Sequence, residues 1–341
     1  MPDPQTYPSY ITFKDAGREP SLVEHDLPVP IFSEIGAYYP DNELLAPYLE
    51  TDETSLRFGA AMFCGFLEDT IEVEHHLVIP AVAVLRELPY KIPDQPLQDL
   101  FATATDEGFH AEQSLMFTSA LRKHFDLETA KSSKVSLFLK RLREQRSSEP
   151  SPLYKKLITV MNGVITETRI SLELGDFARN TELVESVREV CRTHAEDEAI
   201  HASQFKALGT WLWSQFDEET RKAAAQFIVA STIARSLPDI ERIAHCFAQA
   251  TRCPPTEAQL IVFSAYTANR SIDELLFAAR PTLNFIRKLG VEEYLSISDA
   301  FEDERNRLAR ELEERRRNLA SKLPEIELKR IQARVAGSSD L

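Results

Sequence analysis

Along most of the chain, apolar residues recur every three or four positions, the period of a helix that buries one stripe. β-Branched residues rarely alternate with polar ones and glycine is scarce, so the pattern predicts an almost entirely α-helical protein. A first long helix is expected over residues 54–88, with Pro80 kinking it. After a proline-rich break, a second helix runs to about residue 125. Residues 126–150 are polar and read as a long crossover carrying a short amphipathic helix over 135–143. A third long helix is expected over 151–179 and a fourth over 182–216. Further helices follow over 218–236, 240–250, 255–267 and 272–289, the second capped by Asp239. The stretch 300–335 is dense in Glu and Arg and reads as a solvated or dimer-packing helix with a frayed tail. Residues 1–50 are rich in proline and read as an extended arm laid over the core. The 341 residues are thus expected to form a single all-α domain: arm 1–50, four-helix core 54–216, covering helices 217–335.

A few polar residues break the rule that the stripe is apolar. His194, Glu198 and His201 stand at i, i+4 and i+7, in line with Val187, Val190 and Cys191 before them and Phe205 and Leu208 after them. Two imidazoles and a carboxylate therefore point into a core, where an unpaired charge is very costly and a metal ion is the natural partner. On the first helix, Glu74 has apolar neighbours at helical spacing and faces inward. Glu72 faces solvent, and His75 and His76 fall on the wet side. On the second helix Glu107 and His110 share one face, and on the third Glu167 lies with Val160, Val164, Ile170 and Leu174. Glu74 lies about 14 residues before its turn and Glu107 about 13 after it. Glu167 and His194 are each about 13 from theirs. At about 1.5 Å per residue, antiparallel pairs bring all four to one height.

The two halves repeat. Asp106-Glu107-x-x-His110 matches Asp197-Glu198-x-x-His201, and each follows a helix with one inward Glu. One Glu from each of two helices plus Glu-x-x-His from each of the other two is the pattern of ferritin-like di-iron or di-manganese proteins. Carboxylates neutralise and bridge two ions, and imidazoles complete each shell while leaving positions open for oxygen. Glu107 and Glu198, in the paired motifs, are the expected bridges. A zincin H-E-x-x-H order is absent, because Ala195 follows His194. Asp106 and Asp197 are either hydrogen-bond partners that orient the ligand imidazoles or solvated acids.

Charge and cysteine usage narrow the class. The formal net charge is −15 with no basic stripe, which argues against nucleic acid and anionic membranes as partners. Four scattered cysteines form no CxxC pair, and no stretch approaches a membrane span or a leader, so a cytoplasmic protein is expected.

With His194 as a seventh ligand candidate, the set Glu74, Glu107, His110, Glu167, His194, Glu198 and His201 resembles the p-aminobenzoate N-oxygenase family of non-haem di-iron enzymes. The resemblance spans residues 54–216 through these motifs. It implies a homodimer with a ferritin-like four-helix core, two Fe ions with O2 as co-substrate, and an external electron donor. The implied reaction is oxidation of an amine through hydroxylamine towards a nitroso or nitro product. An arylamine, an aliphatic amine and a carrier-bound amino acid all suit the metal motif. Arg270 could pair with a substrate carboxylate or with Glu274 one turn on. Two other functions compete. A ferroxidase or iron store would not need the extra helices after residue 216. A radical-generating reductase subunit would be expected to carry a Tyr where Ser114 stands.

Overall fold

A computed structural model of the chain describes residues 6–20, 30, 32–127, 136–267, 276–277 and 279–337. It is an all-α bundle, and among the described residues there is no β-strand. The first long helix is built in pieces: α1 (Asp52–Val73), a π-helical turn (Glu74–Val78) and α2 (Ile79–Val84). Thr51 and Thr54 close a reciprocal cap at its start. The expected kink at Pro80 takes the form of this π turn just before it. The proline has no N–H for the carbonyl four residues back, and the Ile79 N–H reaches five residues back to Glu74 O. Three more long helices follow: α3 (Asp94–Phe125), α5 (Pro152–Arg179) and α6 (Glu185–Gln215), with α4 (Leu137–Ser148) lying in the crossover. The start expected for α4 at residue 135 lies outside the described residues, and the helix runs on to Ser148.

Cross-helix partners give the directions. Arg57 bonds Phe125 O while Cys64 faces Thr118 O, so α1 and α3 are antiparallel. Between α3 and α6 the pairs are Thr103–Gln204, Asp106–His201 and His110–Asp197, again antiparallel. The α5–α6 and α1–α5 pairs also run antiparallel. Glu107, Glu167, Glu198 and His201 meet at one level, and Gly163 lies against Phe205 and Ala81 at another. Thus α1 and α6 point one way and α3 and α5 the other, an order that requires a long crossover between α3 and α5. Gly163 lets the helices touch there: a Cβ on it would stand 2.6 Å from the Ala81 Cβ.

The covering helices are α7 (Glu218–Ser236), α8 (Ile240–Thr251), α9 (Pro255–Thr267), α10 (Arg280–Lys288), α11 (Ile297–Ala320) and α12 (Glu325–Gly337). Asp217 caps α7 and Asp239 caps α8. Helices α7 and α10 pack on α5, α8 on α1, and α9 on α8 and α11. The acidic and basic tail, expected as one helix, is two. Ser321 to Pro324 interrupt it, and Pro324 sets up the first turn of α12. Leu312 of α11 is buried against the bundle, so this helix is not wholly solvated. Of the helix expected over 272–289, residues 276–277 and 279 onward are described, and α10 runs from Arg280 to Lys288. No helix among the described residues is long and apolar enough to cross a membrane.

The N-terminal arm does lie over the core. Ala37 bonds Glu182 O and accepts from Val184 N, which tucks the arm into the α5–α6 turn. Gly36 (φ +150°) is needed there, since a Cβ would come within 3.0 Å of Glu182 O. Tyr38 is buried against Phe125, and Tyr39 packs on Phe177.

Candidate metal centre

All seven ligand candidates converge at mid-bundle, and none is more than 4% exposed. They form two groups whose ligand atoms lie within 4.8 Å of one another: Glu74, Glu107, His110, His194 and Glu198, and Glu107, Glu167, Glu198 and His201. Glu107 and Glu198 belong to both. Each divides its oxygens between the groups. Glu107 Oε2 stands 3.0 Å from His110 Nδ1, while its Oε1 stands 3.0 Å from His201 Nδ1. Glu198 Oε1 is 2.9 Å from His194 Nε2 and 3.3 Å from His110 Nδ1, and its Oε2 is 3.7 Å from His201 Nδ1. A carboxylate with one oxygen towards each of two positions is what bridging two ions requires.

The local sequence explains the convergence. Glu-x-x-His spacing puts ligand pairs on one face of α3 and of α6, and His194 joins one turn earlier. Glu74 opens the π turn, where the helix widens, and Glu167 sits on the inner face of α5.

The far side of each ring is also held. His110 Nε2 faces Asp197 Oδ2 at 3.2 Å, and His201 Nε2 faces Asp106 Oδ2 at 3.3 Å. The two halves exchange partners: the Asp of each motif orients the His of the other. Both rings thereby turn Nδ1 towards the carboxylates, the second-contact arrangement found around metal-bound imidazoles. Both Asp residues are buried, which excludes the solvated alternative. His110 and His194 lie side by side, ring centres 3.8 Å apart.

The charge balance calls for a cation. Six buried carboxylates, those of Glu74, Glu107, Glu167, Glu198, Asp106 and Asp197, face three imidazoles and one guanidinium, that of Arg18 on Asp197. As carboxylates, Glu74 and Glu167 have no hydrogen-bond donor at either oxygen. His201 Nδ1 is near Glu107 yet misaligned for a hydrogen bond. Buried polar atoms left this way are strongly unfavourable unless something else fills the space between them. Without a metal the protons redistribute. Burial, then the neighbouring acids, push Glu74 and Glu167 well above the usual carboxylate range. Burial opposes the charge on Glu198 and Glu107, but the surrounding imidazoles prevail and hold both below it. Burial also opposes charge on His110 and His201, and the carboxylates on both sides of each ring raise them well above the ordinary imidazole value. Burial, then the charge of His110, lowers His194. The residues can hold metal ions, and this is the donor chemistry of a hard or borderline cation.

Other sequence candidates stay outside. His75 and His76 are exposed, and Glu72 pairs with His76 and Arg143. Tyr38 and Tyr39 contact Phe125 and Phe177 rather than the cluster. Ser114 is buried one turn beyond His110. Arg270 lies outside the described residues. A cavity of about 1110 Å³ is bounded by Cys64, Lys140, Arg242 and Leu312 and touches none of the seven ligands. Sequence reasoning missed Arg18, which comes from the arm and carries no periodic signal. It also missed Gln204 and Thr103, a buried pair bonded at 2.7 Å beside His201. Gln204, three residues after His201, was on the inward stripe and gave a usable signal.

No protein-family model matches the chain, and no curated protein sequence matches it.

Proposed function

We propose that the protein is a di-iron monooxygenase that oxidises an amine nitrogen. The observation that carries this reading is the pair of ligand groups sharing Glu107 and Glu198, each with its oxygens split between them. Glu74, His110 and His194 would complete one iron position, and Glu167 and His201 the other. Two bound irons would supply the oxygen binding and electron transfer that the side chains themselves lack.

The chain's own residues do the remaining work. Asp197 and Asp106 fix the imidazole tautomers by accepting from Nε2, which leaves the Nδ1 lone pairs for metal. The apolar stripes of the four helices exclude bulk water, so the carboxylate charges act in a low-dielectric site. The four glutamates set the charge of the centre. His194 adds a nitrogen donor to the Glu74 position only, so the two positions, each with three glutamates, differ by one imidazole. A fixed, strongly held centre suits catalysis better than iron storage, in which ions must leave.

In this reading the substrate is a small amine. Aryl, aliphatic and carrier-bound amines all remain within it. The electrons come from an external donor, and the working unit is a homodimer in the cytoplasm with no nucleic-acid partner. The test is to load stripped protein with ferrous iron, count the metal, and expose the reduced protein to oxygen with a panel of amines, reading product mass. Two irons per chain and an amine heavier by one or more oxygens are expected. A single tight zinc with no oxygen reactivity would overturn the proposal. Many irons mineralised per chain with no amine oxidised would favour storage.

A further inference from the structure

The arm does more than cover the bundle. Residues 10–18 cross the seam between α3 and α6 directly outside the metal cluster. Tyr10 donates to Asp99 Oδ2 at 2.7 Å on α3. On α6, Ile11 N donates to Ser203 Oγ at 3.3 Å, and Gln204 Nε2 donates to Ile11 O at 3.4 Å. Phe13 is buried, with its ring edge-on to His201. The chain then doubles back. Thr12 Oγ1 accepts from Asp15 N, Gly17 takes φ +69°, and Arg18 N bonds Phe13 O at 2.8 Å. This turn returns Arg18 to the seam, where its guanidinium pairs with Asp197 Oδ1.

We propose that Arg18 is a positioning residue for the metal position that contains His110. The inference rests on the metal-centre part of the proposed function and not on the identity of the substrate. Asp197 is the only residue between Arg18 and the ring in this chain of contacts: Oδ1 accepts from Arg18, and Oδ2 faces His110 Nε2. A carboxylate held by one imidazole alone can rotate about its own bonds. A charge-assisted bond to its second oxygen fixes the carboxylate plane and, through it, the plane of His110. His110 Nδ1 points into the group with Glu74 and His194. The other position is reached through His201, whose ring is held by Asp106 of α3, so Arg18 acts on one metal and not on both. Arg18 is about a third exposed, and shortening it leaves no cavity in the core.

The test uses cobalt(II) as the probe on stripped full-length protein, with absorbance and calorimetric titration resolving two binding events. Wild type is compared with Arg18→Gln, Arg18→Lys, Asp197→Asn, the Arg18→Gln/Asp197→Asn double variant, and Ser203→Ala as a control for loosening of the arm. Arg18→Gln should weaken one cobalt by about 10- to 100-fold and leave the other unchanged. Arg18→Lys should fall between. In the Asp197→Asn background Arg18→Gln should add nothing, and Ser203→Ala should bind as wild type does. The proposal fails if both cobalts weaken alike, if neither does, if Arg18→Gln costs as much without Asp197, or if Ser203→Ala reproduces the loss. A wild type that binds no cobalt would remove the metal-centre reading and this inference together. A wild type that binds two, with Arg18→Gln indistinguishable from it, would remove only the role of Arg18.

Discussion

Replacing Glu167 with Met should make the metal-free protein more stable and, on the proposed two-metal reading, remove one of the two metal positions. Glu167 is fully buried on α5 and belongs to one ligand group only. Ionised, it has no donor at either oxygen; protonated, it can donate to Glu198. Burial, then Glu198 and Glu107, raise it well above the usual carboxylate range, so in the folded metal-free protein it keeps a proton that the unfolded chain gives up. Its contribution is therefore present below the ordinary carboxylate value and is lost as pH rises towards its folded value. Met has similar length and no group to desolvate. The gain should be about 1–3 kcal/mol near pH 8, the usual size of an unsatisfied buried polar group, and should vanish near pH 4. Metal reverses the order, because each occupied site stabilises by about 2.7 kcal/mol at a hundredfold excess over its dissociation constant. Urea unfolding of chelator-stripped and cobalt-loaded protein, followed by circular dichroism at several pH values, measures both terms. A stripped variant less stable than wild type at pH 8 would refute the reasoning, since it would mean that Glu167 holds the fold together by itself. So would undiminished binding of two cobalts.

Three further outcomes are expected. His194→Ala should keep the helical fold and, on the proposed reading, bind the metal of the Glu74 group about 100-fold more weakly, since a direct donor is lost rather than an outer partner, and lose the proposed amine oxidation; unchanged turnover would take His194 out of that mechanism. Gly163→Ala forces a methyl to within 2.6 Å of Ala81 and should destabilise by about 1–3 kcal/mol, read as a lower unfolding midpoint; an unchanged midpoint would mean that the α2–α5 contact yields freely. The stripped wild type should lose stability as pH rises from about 5 to 8, because Glu74, Glu167, His110 and His201 hold protons there that the unfolded chain releases; within the cluster His194 works the other way, and Glu107 and Glu198, held low, do so only at the acid edge of the range. Metal displaces those protons, so the metal-induced shift in midpoint should grow over the same range, and a shift that shrinks would contradict it.

The ligand set was legible because a helix converts spacing into direction. Glu107 with His110, and His194 with Glu198 and His201, could only face the apolar stripe, and equal distances from the turns set their common height. Spacing alone does not decide the role of Asp106 and Asp197, since a residue beside a ligand lies about 100° round the helix, at the edge of the buried face. Only the packing of α3 on α6 turns both inward. Pro80 marked a distortion but not its type, because a missing N–H is met equally by a kink or by a widened turn. Arg18 was illegible: an arm has no period, and its contacts are set by the surface it crosses. The division of the tail at Pro324 is marked by the proline itself, but the Glu and Arg pattern runs through it unbroken.

The sharing of ligands across the bundle also bears on the order in which this protein is made. Neither half of the repeat contains a complete site. The first hairpin brings Glu74, Glu107 and His110, and the second brings Glu167, His194, Glu198 and His201, yet each ligand group draws on both. A chain emerging from the ribosome as far as the end of α3 exposes three donors with no closed position for an ion. On the proposed metal-centre reading, metal capture would therefore follow docking of the second hairpin, whose last donor, His201, comes 76 residues after the end of α3 at Phe125 (201 − 125 = 76). Occupancy of such a centre would then report that long-range docking is complete, and a chain misassembled between its hairpins would be left without metal.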